Sequence, residues 1–330
     1  MSSPASLRST TRARFLPLRR APRLSRPVGS LAAALVLTIG LAGCGSDDKN
    51  TPPPAPTGCA TDTTAGATDA ALLPVPPAKV TLETAGDEPL AAALSAFDRA
   101  SAQPAKLVTT STFASPDGEG AASSATTVDL PMTARVNCTD ATDIDLQIGA
   151  AGSPDTALNQ ALKAQDGSRA GMSIGTGMAP ISLRILPNED ADDNARQAVE
   201  EALVSTFQRS VTLPTEPIGI GARWEAVRTV NAGASVRQTI NATLTAREGD
   251  RLTIEFTIDE TPNNAVFRLP EGGTLNIESY SMTGGGTVVL DLTRGVPVSG
   301  QMNISGGRTL VGGDGTQFRQ LLGFNSTWGQ

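Results

Sequence analysis

The chain has 330 residues and a net charge of −7, a length that suits one large domain or two small ones. Seven of its 26 basic residues lie among the first 43 positions, which hold no acid, leaving 19 basic against 33 acidic residues and a net −14 beyond them. A body this acidic is repelled by phosphate backbones and anionic headgroups, and with 3% aromatic residues it has little for base stacking, so a nucleic-acid partner is not expected.

Residues 30–44 form an apolar run, shorter than the roughly 20 residues that cross a bilayer. Upstream stand Arg8, Arg12, Arg14, Arg19, Arg20, Arg23 and Arg26, and the run ends in Ala42-Gly43 just before Cys44. A basic flank, an apolar core and small residues at a cut site describe a secretory signal. The Leu41-Ala42-Gly43-Cys44 ending resembles a bacterial lipobox. That resemblance implies that Cys44 receives a diacylglycerol thioether, is capped by a further acyl chain of the palmitate type, and becomes the mature N-terminus. It also implies a lipid-anchored protein on the extracytoplasmic side of the bacterial cell membrane. A plain signal peptide needs no cysteine at that place, an uncleaved anchor wants a longer apolar run, and the residues around Arg19-Arg20 do not support twin-arginine export.

Cys59 and Cys138 are the other two cysteines. Export places them in an oxidising compartment, where a pair of thiols usually bonds. A Cys59–Cys138 disulfide is therefore expected. Residues 44–78, rich in Pro, Thr, Ala and Asp, read as a disordered tether between the leader, 1–43, and a single β-rich domain, 79–330.

Val80–Leu82 reads as a first short strand, while Leu90–Ala100 is ambiguous, with helical spacing but Pro104 soon after. Lys106–Phe113 and Ser123–Val136 read as strands about an Asp117-Gly118-Glu119-Gly120 turn, the second interrupted or bent at Pro131. In Asp143–Ile148 the alternation of Ile144, Leu146 and Ile148 with Asp143, Asp145 and Gln147 predicts one dry and one wet face. Ser153-Pro154-Asp155 reads as a helix start and Gly167 as its stop. Strands are expected near Ala170–Ile174 and Ile181–Leu186. A second helix begins in the acidic run Glu189–Asp193 and follows the stripe Ala195, Ala198, Val199, Ala202, Leu203 and Phe207 to Arg209. Beyond Leu213-Pro214 the pattern is almost wholly β. Val236–Arg247 and Leu252–Ile258 alternate about Glu248-Gly249-Asp250 as a hairpin. Leu275–Met282 is a strand that Gly284-Gly285-Gly286 breaks, Val288–Leu292 resumes it, and Val296–Ile304 alternates again. The expected fold is α+β: a large curved antiparallel sheet, half-barrel-like, with about two helices on its apolar face.

Four stretches together resemble a family of exported bacterial lipoproteins of unknown function: Val80–Leu82 with Ala85–Pro89, Leu213–Trp224, Gly284–Leu292, and Gly295–Val298 running on to Met302. Leu-Pro-Thr-Glu-Pro-Ile-Gly-Ile-Gly-Ala-Arg-Trp is the most specific of them. The strand-helix-strand pattern also looks like the half-barrel lipoproteins that carry lipids. Neither likeness implies an activity.

No stretch names a reaction. The absence of histidine excludes Ser-His-Asp and Cys-His sites and removes the commonest general base and zinc ligand. The acidic run at 189–193 lacks the glycine and distal glutamate of a calcium loop. Gly171–Gly177 does not match a dinucleotide fingerprint, and no cofactor, metal site or catalytic residue is expected. Asp143 with Asp145 is a bare candidate for a weak cation site, and Asp291 for an isolated acid. Gly219–Trp224 reads as a close backbone turn with a core tryptophan, and four Asn-x-Ser/Thr sites (Asn137, Asn241, Asn303, Asn325) read as chance. Three functions stay open: a structural or partner-binding envelope module, a carrier of a lipid or other apolar ligand, and an acid-dependent hydrolase. Volume separates the first two, because a ligand pocket needs about 300 Å³ or more of apolar-lined space.

Overall fold

The computed structural model describes residues 58–330 apart from 66, 68–69, 117–121, 187, 232–233 and 270–271. The leader, the lipobox with Cys44 and the 117–120 turn lie outside the described residues. In chain order the strands are β1 Ala71–Pro74, β2 Lys79–Thr84, β3 Gln103–Ser115, β4 Ala122–Val136, β5 Asp143–Ile148, β6 Arg169–Ile174 and β7 Pro180–Leu186. After them come β8 Arg223–Asn231, β9 Ser235–Glu248, β10 Arg251–Pro262, β11 Val266–Arg268, β12 Thr274–Asp291, β13 Ser299–Val311 and β14 Gln317–Gly329. The helices are α1 Thr156–Leu162 and α2 Asp193–Phe207.

All these strands join one curved, open, antiparallel sheet in the order β1-β7-β6-β5-β4-β3-β14-β13-β12-β10-β9-β8-β2, with β11 paired to β12. The edge strands β1 and β2 are neighbours in the chain, separated only by Val75–Ala78. Five residue steps span at most about 18 Å, so the sheet curls until its two edges nearly meet. Val75 extends the β1 ladder through its N–H to the Ile181 carbonyl at 3.1 Å. Pro76 and Pro77 have no N–H to carry the ladder further, and the seam stays open.

The curl places apolar residues inside and polar ones outside. On β9, Val236, Gln238, Ile240, Ala242 and Leu244 are buried, and on β10 Leu252, Ile254, Phe256, Ile258 and Glu260. Arg237, Asn241, Glu255, Thr257 and Asp259 on the same strands are exposed. This is the reverse of a lipid-facing barrel, which turns its apolar residues outward. Among the described residues no helix is long and apolar enough to cross a membrane. Helix α2 fills much of the interior with Ala195, Ala198, Val199, Ala202, Leu203 and Phe207, all part of one core with residues from both arms of the sheet. Its start is capped by Asp192, whose carboxylate accepts from the Ala195 N–H at 2.8 Å. A fully buried leucine such as Leu203 contributes roughly 2 kcal/mol, and small alanines on the same stripe let the helix approach the strands.

Several expectations are corrected. Strand β12 runs unbroken through Gly284–Gly286. The inward-facing Gly286 lies between Phe256 and Met302, and Gly284 between Ile258 and Ile304. A Cβ at either glycine would overlap a carbonyl of β13. Glycines are what allow the neighbouring strand to come this close on the crowded concave side. Strand β4 likewise continues through Pro131. Strand β13 begins only at Ser299, after a loop that holds Val296 and Val298. Helix α1 starts later than expected: Asp155 is its cap, accepting from the Leu158 N–H at 2.7 Å, and Ser153 supports Asp155 instead. Leu90–Ala100 forms no helix.

The wet face expected of β5 is largely covered: Asp143 and Asp145 are both buried, and of the three expected residues Gln147 alone is exposed. Residues 58–65, expected within the tether, lie across that side of β5 and β6. Ala60 bridges in parallel to Asn137, and Thr64 is only 1% exposed. Tertiary cover has overridden the alternation.

Candidate functional site

In the interior of the curled sheet, apolar space and polar groups converge. The end of α2, the 295–297 loop and strands β6, β10, β12, β13 and β14 line a half-open cavity of about 70 Å³. Phe207, Phe256, Val296, Met302 and Trp328 make its walls apolar. Phe207 and Trp328 meet with ring centroids 5.9 Å apart. Met172 and Met178 add flexible side chains. Met178 has φ +57°, the left-handed region that costs a non-glycine residue about 1 kcal/mol or more.

At one end of this space lies a polar layer. Glu260, 1% exposed, accepts from Arg209 Nε at 3.0 Å and Nη2 at 3.3 Å, from Gln238 Nε2 at 3.0 Å and from the Tyr280 hydroxyl at 3.3 Å. Arg209 also covers the Phe324 ring, its guanidinium carbon 5.2 Å from the centroid. Burial, with the Glu260 carboxylate second, pushes the Tyr280 phenol up to about 12. Arg228, opposite Gln238 on the neighbouring strand, donates from Nη2 to the Ser210 carbonyl at 2.7 Å and the Thr212 hydroxyl at 3.2 Å. It has no carboxylate partner among the described residues. Burial alone pulls its guanidinium down to about 10. Beyond the layer a smaller apolar cluster, with Val230, Val236, Phe267, Ile277 and Leu310, closes that end.

The residues singled out in the sequence fall elsewhere. Cys59 and Cys138 form the expected disulfide, Cα atoms 5.0 Å apart; Cys44 lies outside the described residues. Asp143 and Asp145 are not a cation site. Asp143 pairs with Arg184, and Asp145 with Arg169 at 2.5 Å and Arg135 at 3.7 Å. Among the described residues no three metal-ligating side chains gather. Asp291 turns the chain after β12, accepting from the Thr293 N–H at 2.9 Å and hydroxyl at 2.6 Å. Those bonds and nearby Arg251 and Arg294 outweigh its burial and hold its carboxyl below the usual range. Trp224 is buried as expected, with Nε1 donating to the Thr212 carbonyl at 2.9 Å.

Sequence reasoning missed the polar layer. Gln238 and Glu260 each break an apolar run at an inward position, and that interruption is the signal that could have found it.

Chemically, the layer is an ion pair with supporting hydrogen bonds: Glu260 is engaged by Arg209, Gln238 and Tyr280, while Arg228 Nε and Gln238 Oε1 are buried without a partner. Compared with protein-family models, with curated proteins and with solved structures, the chain gives no match to any of them.

Proposed function

We propose that this chain is a non-enzymatic, lipid-anchored module of the bacterial cell envelope, held to the membrane through Cys44 and acting by its structure or by binding an envelope protein on its polar outer face. One observation carries the choice between filling and carrying: the cavity beside α2 holds about 70 Å³, well below the roughly 300 Å³ of a small-molecule site. Helix α2 and the Glu260 layer occupy the space a lipid would need. The buried carboxylates Asp143, Asp145 and Glu260 are each tied to arginines, which speaks against acid-dependent hydrolysis.

The test is direct. Intact mass of the chain purified from its membrane should show acyl chains on Cys44 and loss of residues 1–43. Cys44→Ala should leave the protein unacylated and outside the membrane fraction. Retention of the arginine-rich leader, or a free Cys44 thiol, overturns the reading.

A second reading, an apolar-ligand carrier, draws on one feature. Met172, Met178 and Met302 line the cavity, and Met178 is held in a strained backbone, so the walls can yield to a guest. Native mass spectrometry that finds a lipid bound one to one would favour this reading over the first.

A further inference from the structure

Residues 58–65 are fixed to the body by several independent catches. Cys59 is bonded to Cys138. The Ala60 N–H donates to the Val136 carbonyl at 2.9 Å, and the Cys138 N–H to the Ala60 carbonyl at 2.9 Å. Thr63 donates its hydroxyl to Asp143, Arg184 Nε donates to the Thr64 hydroxyl at 3.0 Å, and Arg169 Nη2 donates to the Asp62 carbonyl at 3.2 Å. Thr64 sits in a notch made by Gly171, where a Cβ would overlap the threonine hydroxyl. Beneath lie the Asp143–Arg184 and Asp145–Arg169 ion pairs.

This segment stands between the candidate anchor and the sheet. Cys59 is 15 residues past Cys44, whereas Ala71, where β1 starts, is 27 past it. At no more than about 3.6 Å per residue, the tether reaches about 50 Å from a docked segment and about 95 Å from a released one. A flexible chain of about 15 residues averages about 20 Å end to end, and one of about 27 residues about 30 Å.

We propose that residues 58–65 are a latched strap that sets how far the body stands from the membrane, a role that rests on the reading of Cys44 as the lipid-bearing residue. Both cysteines are half-buried, so a dithiol can reach the bond. Its thiolate attacks one sulfur, the mixed disulfide resolves by the second thiol, and the dithiol leaves as a cyclic disulfide. The protein gains two electrons and two protons as Cys59 and Cys138 thiols. With the covalent catch open the strap leaves the notch, and the tether lengthens by 58–70.

The full chain, carried by its own lipid on a supported bilayer, tests this. Hydrogen exchange at the Ala60 and Cys138 amides reads docking, and neutron reflectometry reads height. Oxidised protein should be protected and low. Dithiol-reduced protein, and separately Cys59→Ser with Gly171→Ala, should exchange at these amides about a hundredfold faster and stand about 10 Å further out. Protection that persists on reduction, or exchange without a change in height, overturns the strap while leaving the anchor intact. Absence of acyl mass on Cys44 overturns both.

Discussion

Arg209, just past the end of α2, and Glu260, on the inner face of β10, meet through two parallel hydrogen bonds, Nε to Oε1 at 3.0 Å and Nη2 to Oε2 at 3.3 Å. The pair joins the helix inside the curl to the sheet around it. Gln238 and Tyr280 complete the carboxylate's set of donors. Removing one member of a buried ion pair strands the other, at a cost of about 3–5 kcal/mol. Glu260→Gln should lower the urea unfolding free energy by that order. Arg209→Met with Glu260→Met should cost less than Glu260→Gln alone, since no charge is then stranded. A double variant at least as damaged as the single would show that the pair is not what holds α2.

Tyr280 is the only tyrosine of the chain, so alkaline difference absorbance reads it alone. Burial, reinforced by Glu260, lifts its phenol to about 12 from an ordinary value of 10.0. The unfolded chain therefore loses this proton before the folded one does. The stability it contributes is whole below pH 10 and is lost as pH rises from 10 toward 12. Arg228, pulled down to about 10 by burial, works in the opposite sense: the folded state sheds that proton first, and stability is regained above pH 10. Tyr280→Phe should remove the downward component, so that stability above pH 10 falls less than in the parent or rises with pH. An unshifted Tyr280 titration in the folded protein would contradict this account.

The sheet was legible where one face stayed wet. Val236–Leu244 and Leu252–Ile258 carry the expected residues on the expected sides, but an irregularity at Thr245 sets Ala246, expected inside, opposite the outward Thr253, and Arg247 opposite the inward Leu252. It was illegible where something covers the outer side. Asp143 and Asp145 alternate like surface residues, but the strap at 58–65 buries them. Nothing local in a Thr-Ala-Asp stretch announces that it will dock on a distant notch at Gly171. Glycines misled in the same way. A run of three reads as a break, yet at Gly284–Gly286 it is what lets the neighbouring strand come close beside Phe256 and Met302. The disulfide was readable because a leader that reads as an export signal, with two leftover cysteines, leaves few options. The Glu260 layer was not, because its members come from α2, β9, β10 and β12, far apart in sequence.

The glycine tract gives a sharp contrast. A Cβ at Gly286 would overlap the Gln301 carbonyl of the next strand, whereas Gly313 has nothing within 4 Å. Gly286→Val should prevent a cooperative fold or cost several kcal/mol, in the range of overpacking and strand distortion. Gly313→Val should stay within about 0.5 kcal/mol of the parent, as surface changes do. Equal thermal midpoints for the two variants would sink the claim that close strand approach fixes the curl.

Trp224 ties the Leu213–Trp224 stretch to the core by two separable means. Its ring is 1% exposed, and its Nε1 donates to the Thr212 carbonyl at 2.9 Å. Arg228 reaches the same loop through the Thr212 hydroxyl and the Ser210 carbonyl, so the loop is held from two neighbouring positions on one strand. Trp224→Phe keeps most of the volume but leaves a buried carbonyl without its donor, an expected loss of about 1–3 kcal/mol. Trp224→Ala opens a cavity as well and should cost about 3–5 kcal/mol. The emission of Trp224, isolated in a Trp328→Phe background, should be blue-shifted in the folded state and move to longer wavelength on unfolding. If the phenylalanine variant is as damaged as the alanine one, the hydrogen bond to Thr212 outweighs the packing; if it matches the parent, the loop is held by Arg228 alone.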